Sequence, residues 1–252
     1  MNRRTFCKAL VRTIIFKENL FAVATQTNPA DIYIDKADYS TLLSLNKRLL
    51  AIQTTIGSLE FNLIGLDEAI IYTKKLNKIG EFTKPELTLF DNLFHRPATD
   101  YGFYGAKVFT SLTDNIQKND VIKIPKLGQY LYGGTPIKMY KDIVDDIGEK
   151  RVILTSGVRG IVKQMQLFTS KAISLDGCLS IASRSLAPAG YSFHGTGEFD
   201  VGKIGFGEKN FTAEFAKTEE YQELIKLGFV NIRYPDKNPY GVIFEPWHIK
   251  VS

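Results

Sequence analysis

Two short segments of the sequence place a histidine close to a carboxylate. In residues 190–202, GYSFHGTGEFDVG, His194 precedes Asp200 by six positions. In the segment EPWH, His248 follows Glu245 by three positions. A catalytic zinc site takes three protein ligands, usually His nitrogens and carboxylate oxygens, and leaves one position for water. Two His and one carboxylate can hold such an ion, and the remaining carboxylate can move a proton.

Spacing alone leaves alternatives open. Neither segment has the H-E-x-x-H spacing of a zinc-binding helix, and an isolated His is more often a structural residue with a hydrogen-bond partner. A serine nucleophile is disfavoured, because LTSGV has Leu154 where a nucleophile elbow requires glycine. Each His considered alone would more often be structural, but the two His segments together favour a metal site.

Three segments resemble the signatures of the VanY/VanX-type D-alanyl-D-alanine metallopeptidases, a zinc group that also includes lysostaphin-type enzymes and the hedgehog fold. The signatures are S-G-x-R with a later Gln, then S-x-H-x-x-G with a later Asp, and finally E-x-W-H. They occur here in that order, within a resemblance that covers residues 127–252. The matching residues are Ser156, Gly157, Arg159, Gln164, Ser192, His194, Gly197, Glu245, Trp247 and His248.

The resemblance implies a zinc-dependent carboxypeptidase that removes the terminal D-Ala of peptidoglycan stem peptides, with metal-bound water as the nucleophile. It implies that Zn²⁺ is held by His194, Asp200 and His248. Glu245 would be the general base and acid, and Arg159 would carry the charge that develops on the scissile carbonyl. The substrate-binding residues that it implies are Ser192, Gln164 and Trp247.

The carboxylate ligand has a second candidate. The family usually places its metal-binding Asp seven residues after the first His, whereas Asp200 is six residues after His194. One residue reverses the side-chain face of a strand, so a bulge or a shorter loop is expected. Glu198 lies two positions before Asp200, on the same face of a strand, and is the alternative ligand.

Two alternative functions remain open at this point. An endopeptidase that cleaves peptidoglycan cross-links would need the same site in a cleft that is open at both ends. A non-catalytic cell-wall-binding protein of the same fold would be free to lose Glu245 and the metal ligands. The sequence has all of them, which favours an enzyme.

The elements that must position these residues mix helices and strands without a βαβ rhythm. Helices are predicted over IKMYKDIVDDIG, IVKQMQLFTSKAI and TEEYQELIKLGF, and strands over RVILTSG, EFDVGKIGF, FVNIRYP and YGVIFEPWHIKV. This pattern predicts an α+β fold with a central, mainly antiparallel sheet. Together with the resemblance, it predicts a hedgehog/D-Ala-D-Ala-peptidase-like zinc peptidase domain over residues 121–252.

A helical N-terminal region is predicted over residues 25–120. Apolar residues recur in steps of three and four from Leu42 to Ile70, interrupted by Gly57 and Gly65. This spacing predicts packing within the chain, either as one long helix or as a helical hairpin that bends at one of the glycines, in preference to a dimeric coiled coil. A capping box that begins at Thr83 predicts a further helix.

Residues 1–24 predict an export signal. They contain RRTFCK, which is close to a twin-arginine motif, and a small-residue cleavage site at residues 22–24. Most of the net charge of +5 belongs to this segment, so no nucleic-acid partner is expected. No apolar run reaches the ~18–20 residues of a transmembrane helix. We expect a periplasmic or cell-envelope location, with peptidoglycan peptides as partners and the oligomeric state open.

Overall fold

The computed structural model describes residues 28–251, so the predicted export signal in residues 1–24 lies outside the described residues. No helix within residues 28–251 is long and apolar enough to cross a membrane. The helices are α1 Tyr39–Ile56, α2 Ser58–Phe61, α3 Leu66–Lys75, α4 Lys84–His95, α5 Thr135–Ile147, α6 Ile161–Ile173, α7 Leu179–Ser183 and α8 Glu219–Lys226. The strands are β1 Val121–Ile124, β2 Gln129–Tyr132, β3 Val152–Ser156, β4 Phe199–Lys203 and β5 His248–Ile249.

The N-terminal helices follow the predicted apolar spacing, but the chain bends at both glycines. Helix α1 ends at Gly57, whose φ of 87° favours a residue without a side chain. Helix α3 begins directly after Gly65. Helix α4 has the predicted capping box, in which the Thr83 hydroxyl accepts from the Glu86 amide and the Glu86 carboxylate accepts from the Thr83 amide.

The first hydrophobic core joins the helical region to α6. It combines residues of α1, α3 and α4 with Val158 and with the buried face of α6. A buried polar contact crosses the same interface, because Asn46 on α1 donates to the Thr169 hydroxyl on α6 over 2.9 Å. This core therefore draws residues from both sides of the predicted boundary at 120/121, and that boundary stays a prediction.

The sheets are small and antiparallel, as expected for the predicted α+β class. Strands β1 and β2 form a hairpin, and β3, β4 and β5 form a second sheet in that order. The last two predicted strands are wrong in extent: only β5 and an isolated bridge between Ile232 and Ile249 form. Pro235 and Pro246 lie within these two predicted strands, and proline cannot donate to a strand ladder.

The register of the second sheet brings the signature segments together. Asp200 on β4 lies directly opposite His248 on β5 and opposite Ser156 on β3. Directly opposed residues on antiparallel strands have side chains within reach of each other. The ladder has an irregularity between Leu154 and Ser156, beside the position of Asp200. The sheet thus places the middle segment between the first and the last.

Gly157 allows the end of β3 to approach β2 closely. A Cβ atom at Gly157 would lie 2.0 Å from the Tyr130 carbonyl oxygen, which also accepts from the Val158 amide over 2.8 Å. Since backbone cannot move aside as a flexible side chain can, the glycine is required for this contact.

We expect Gly157→Ala to lower the free energy of unfolding by about 1–3 kcal/mol, the usual cost of overpacking. Urea-induced unfolding measures this loss. Gly133→Ala is the matched control, since the nearest atom to a Cβ there is the Asp120 carbonyl oxygen at 3.6 Å. Equal stability of the two variants would contradict the requirement for glycine at position 157.

Candidate metal centre

Three buried side chains bring their ligand atoms together at the end of β4. The Asp200 Oδ1 atom lies 3.3 Å from His194 Nε2 and 3.3 Å from His248 Nδ1. The two imidazole rings are nearly perpendicular, with centroids 4.9 Å apart. All three residues are buried. They form a group that could hold a metal ion.

His194 is held by the main chain. Its Nδ1 atom lies 2.7 Å from the Gly157 carbonyl oxygen, which can only accept, so Nδ1 carries the hydrogen and Nε2 presents a lone pair. Burial, and then the charge of Arg159, lower the pKa of His194 to about 4. The ring is therefore neutral at physiological pH, which is the form that binds metal.

His248 lies between two carboxylates. Its Nε2 atom is 2.8 Å from Glu198 Oε2, and its Nδ1 atom faces Asp200. Burial lowers the pKa of His248, but the facing carboxylates of Asp200 and then Glu198 outweigh burial and raise the pKa to about 9. Without a metal, the His248 ring is therefore protonated and carries a proton on Nδ1. Metal binding at this position would displace that proton.

The donor set fits a zinc ion. Among the residues that the structure describes, His194 Nε2 and Asp200 Oδ1 are buried polar atoms without a hydrogen-bond partner. Such atoms are costly to bury unless something binds them. Ligands of a tetrahedral zinc, bound at about 2.0–2.1 Å, lie about 3.3–3.4 Å apart. The two distances from Asp200 Oδ1 agree with that spacing.

Asp200 in β4 and Glu198, which directly precedes the strand, occupy different places. Burial works against ionisation of Asp200, but His194 and then His248 outweigh it and hold its pKa well below the usual range. Glu198 lies on the far side of the His248 ring and is ion-paired with Arg233. The group of three thus contains Asp200 and leaves Glu198 beside it, which favours Asp200 as the ligand.

The one-residue difference in spacing has a local explanation. His194 lies in a short 3-10 turn, Phe193–Gly195, and not in a strand. Gly197 then turns the chain with a φ of 116° before β4 begins at Phe199. Strand alternation does not apply between His194 and Asp200, because the residues between them form a turn.

Glu245 is a further titratable group at this place. Its Oε2 atom lies 3.7 Å from His248 Nδ1, and its amide donates to the Tyr234 carbonyl oxygen over 3.0 Å. Burial is the main cause that raises its pKa to about 8. A carboxyl group that titrates near neutral pH can both accept and return a proton.

Arg159 supplies a buried cation. Its Nη2 atom lies 4.0 Å from Asp200 Oδ2. Burial, the largest influence, lowers the pKa of the guanidinium. Its Nε is buried and has no hydrogen-bond partner within the described part of the chain. The side chain thus has a donor available beside the three candidate ligands.

The three predicted substrate-binding residues lie in different surroundings. Ser192 is buried at the start of the turn that carries His194. Gln164 on α6 is 1% exposed and donates to the Ala187 carbonyl oxygen over 2.6 Å. Trp247 packs in a second hydrophobic core, which is formed with residues of α5, β3, β4 and α8. Its ring centroid lies 6.0 Å from that of Phe211. Gln164 and Trp247 therefore support neighbouring segments, and their contact with substrate stays a prediction.

Two residues near the site, Arg233 and Tyr234, could not be predicted from the sequence. Arg233 donates to Glu198, and the Tyr234 ring lies 5.2 Å from the His248 ring. Burial is the main cause that raises the pKa of the Tyr234 phenol above its usual value. Both residues belong to the segment predicted as a strand, and only the folded path of residues 229–247 brings them to His248. In the sequence, only the two-residue spacing of Glu198 and Asp200, which puts them on the same face of an extended chain, indicated that Glu198 lies near His248.

Comparison with solved structures finds chains that are similar to part of this chain. A mutant of the vancomycin-resistance D,D-pentapeptidase VanY from a VanB-type cassette, in complex with Zn(II), is 21% identical, with a TM-score of 0.42, over 52% of this chain and 77% of that chain. VanYB in complex with D-alanine-D-alanine is 23% identical, with a TM-score of 0.42 over the same shares. The LD-carboxypeptidase LdcB is 22% identical, with a TM-score of 0.43, over 54% of this chain and 70% of that chain.

Comparison by sequence gives a family. No curated protein matches the chain. Residues 138–251 match the family described as VanY, D-alanyl-D-alanine carboxypeptidase. The matched range contains the three candidate metal ligands, Glu245 and Arg159. Residues 138–251 of this chain are therefore similar to the VanY-type D-alanyl-D-alanine carboxypeptidase family.

Proposed function

We propose that this protein is a zinc-dependent carboxypeptidase that removes the terminal D-Ala of peptidoglycan stem peptides. One observation carries the proposal: His194 Nε2, Asp200 Oδ1 and His248 Nδ1 converge at ligand spacing, beside a carboxyl group whose pKa is about 8. A structural cluster would satisfy these atoms internally, whereas two of them have no hydrogen-bond partner in the described residues. The family of residues 138–251 supports the same chemistry.

His194, Asp200 and His248 would hold the zinc. Zinc bound there would act as a Lewis acid, which activates water and polarises the scissile carbonyl group. Glu245, 3.7 Å from His248, would take the proton from the attacking water and return it to the leaving amine of D-Ala. Burial, which raises the pKa of Glu245 in the metal-free site, favours the protonated form that would return the proton.

Arg159 would stabilise negative charge on the substrate. A planar guanidinium in a buried place can donate to the developing oxyanion or to a terminal carboxylate. Arg159 lies on the Asp200 side of the site and has a free Nε donor among the described contacts. Ser192, next but one to His194, would donate to the substrate from the other side of the turn. The predicted contacts of Gln164 and Trp247 would complete the pocket.

We also propose that the protein acts in the periplasm or cell envelope, where peptidoglycan is found. The basic N-terminal segment with its twin-arginine-like motif supports export. An endopeptidase with the same metal chemistry is the main alternative. A carboxypeptidase requires that the substrate end at the D-Ala next to the scissile bond, whereas an endopeptidase does not.

We expect Glu245→Gln to lower kcat for D-Ala release by about 10²–10⁴-fold, the usual contribution of a general acid–base group. Because Glu245 is not among the three ligands, zinc content should remain one ion per chain. Metal analysis and release of D-Ala from purified muropeptides measure the two effects. His194→Ala should lose both zinc and activity.

Glu223→Gln is the matched control, since Glu223 pairs with Arg151, which is not one of the site residues, and is partly exposed. It should leave kcat and zinc content unchanged. A wild-type protein that binds no zinc, or a Glu245→Gln variant that cleaves as fast as wild type, would show the proposal to be wrong.

A peptide that ends in D-Ala-D-Ala should be cleaved faster than the same peptide with a C-terminal amide. Amidation removes a charged hydrogen-bond acceptor worth about 1.5–3 kcal/mol, or roughly ten- to hundredfold in kcat/KM. Acetylation of the far N-terminus of the peptide is the control and should have little effect. Equal rates for the acid and the amide would favour the endopeptidase alternative.

A further inference from the structure

Glu198 and Arg233 form a buried ion pair beside His248 that the proposed reaction does not use. Arg233 Nε lies 2.8 Å from Glu198 Oε1 and 2.7 Å from Oε2, and Arg233 Nη2 also donates to Oε1. The side chains are only 4% and 11% exposed for Glu198 and Arg233. Burying such a pair costs desolvation energy that a surface pair avoids. A buried pair of this kind is therefore expected to have a specific role.

The pair acts on His248 through its outer nitrogen. Glu198 Oε2 accepts from His248 Nε2 over 2.8 Å, which fixes the hydrogen on Nε2. Nδ1 of the same ring then points to Asp200 and the other ligand atoms. A carboxylate at the outer nitrogen of a ligating His sets its tautomer and ring orientation and strengthens it as a donor.

Arg233 connects this contact to the other histidine segment. The guanidinium carbon of Arg233 lies 3.6 Å from the centroid of the Phe193 ring, directly before His194 in the chain. A guanidinium stacked on an aromatic face gains a cation–π attraction. Arg233 thus fixes Glu198 from one side while it packs on the turn that carries His194.

Both oxygens of Glu198 are engaged in these contacts. Oε1 accepts from Arg233, and Oε2 accepts from Arg233 and from His248. Asp200 Oδ1, by contrast, has no hydrogen-bond partner within the described residues. This difference separates a carboxylate that orients a ligand from one that is available as a ligand.

We propose that Glu198 is a positioning residue for His248 and that Arg233 holds Glu198 in place. The inference rests on the proposed function, because it assumes that His248 binds the metal. Loss of such an outer contact typically weakens metal binding by about 10- to 100-fold without removing a ligand.

The test measures zinc binding itself. Zinc dissociation constants, obtained by chelator competition, are compared for wild type, Glu198→Gln and Arg233→Lys. Glu198→Gln keeps the size of the side chain and removes its charge, and Arg233→Lys keeps the charge and removes the planar donor. We expect Glu198→Gln to bind one zinc per chain about 10- to 100-fold more weakly. Arg233→Lys should shift the constant in the same direction.

Cobalt substitution supplies a second readout. The visible spectrum of bound Co²⁺ reports the geometry of its ligands. We expect a changed spectrum in Glu198→Gln and one cobalt ion per chain. Asp200→Ala is the reference for loss of a ligand, and it should retain no stoichiometric metal.

Glu86→Gln is the matched control for loss of a buried carboxylate. Glu86 is also buried and accepts from Arg48 Nε over 2.7 Å, but it lies in the helical region at the start of α4. It should lower the free energy of unfolding and leave the zinc dissociation constant and the cobalt spectrum unchanged. A purely structural role of Glu198 would give the same result as Glu86.

The remaining outcomes separate the two proposals. Wild-type protein that binds no zinc would overturn the proposed function. Tight wild-type binding with unchanged constants and spectra in both Glu198→Gln and Arg233→Lys would overturn the positioning role alone. Loss of stoichiometric metal in a folded Glu198→Gln variant, as in Asp200→Ala, would make Glu198 a ligand and would also overturn it.

Discussion

The cross-strand pairing of Asp200 with His248 is the contact on which the site depends. The two residues face each other on β4 and β5, and Ser156 of β3 lies opposite on the other side. This short ladder joins segments that are far apart in the chain. His194 reaches the same point from the turn before β4, where the Gly157 carbonyl oxygen holds its ring. A shift of one residue in this register would turn Asp200 away from both histidines.

The helical N-terminal region supports this arrangement from outside the matched family range. The Gly160 amide, between Arg159 and α6, donates to the Asn62 carbonyl oxygen over 2.7 Å. Residues of α1 and α4 share a core with α6, the helix that follows Arg159. The path of the chain around Arg159 therefore depends on contacts with residues that lie outside the family's matched range.

Local patterns in the sequence were sufficient for much of the fold. Capping at Thr83, the glycine after α5 and the apolar spacing of α6 are short-range signals, and those helices form where predicted. The strands predicted after α8 depended on apolar alternation alone. Their prolines prevent a continuous ladder, and the chain forms mainly irregular structure. The convergence of His194, Asp200 and His248 followed from motif order, whereas the approach of Arg233 depends on tertiary packing that no local pattern encodes.

The two histidines differ in what holds them, and this difference has an evolutionary consequence. A peptide carbonyl group, that of Gly157, orients His194, and every amino acid supplies the same acceptor. A side chain, that of Glu198, orients His248. Selection can therefore adjust the support of one imidazole by single substitutions, while the support of the other changes only when the backbone moves. Divergence among related metal sites of this design should accumulate on the His248 side.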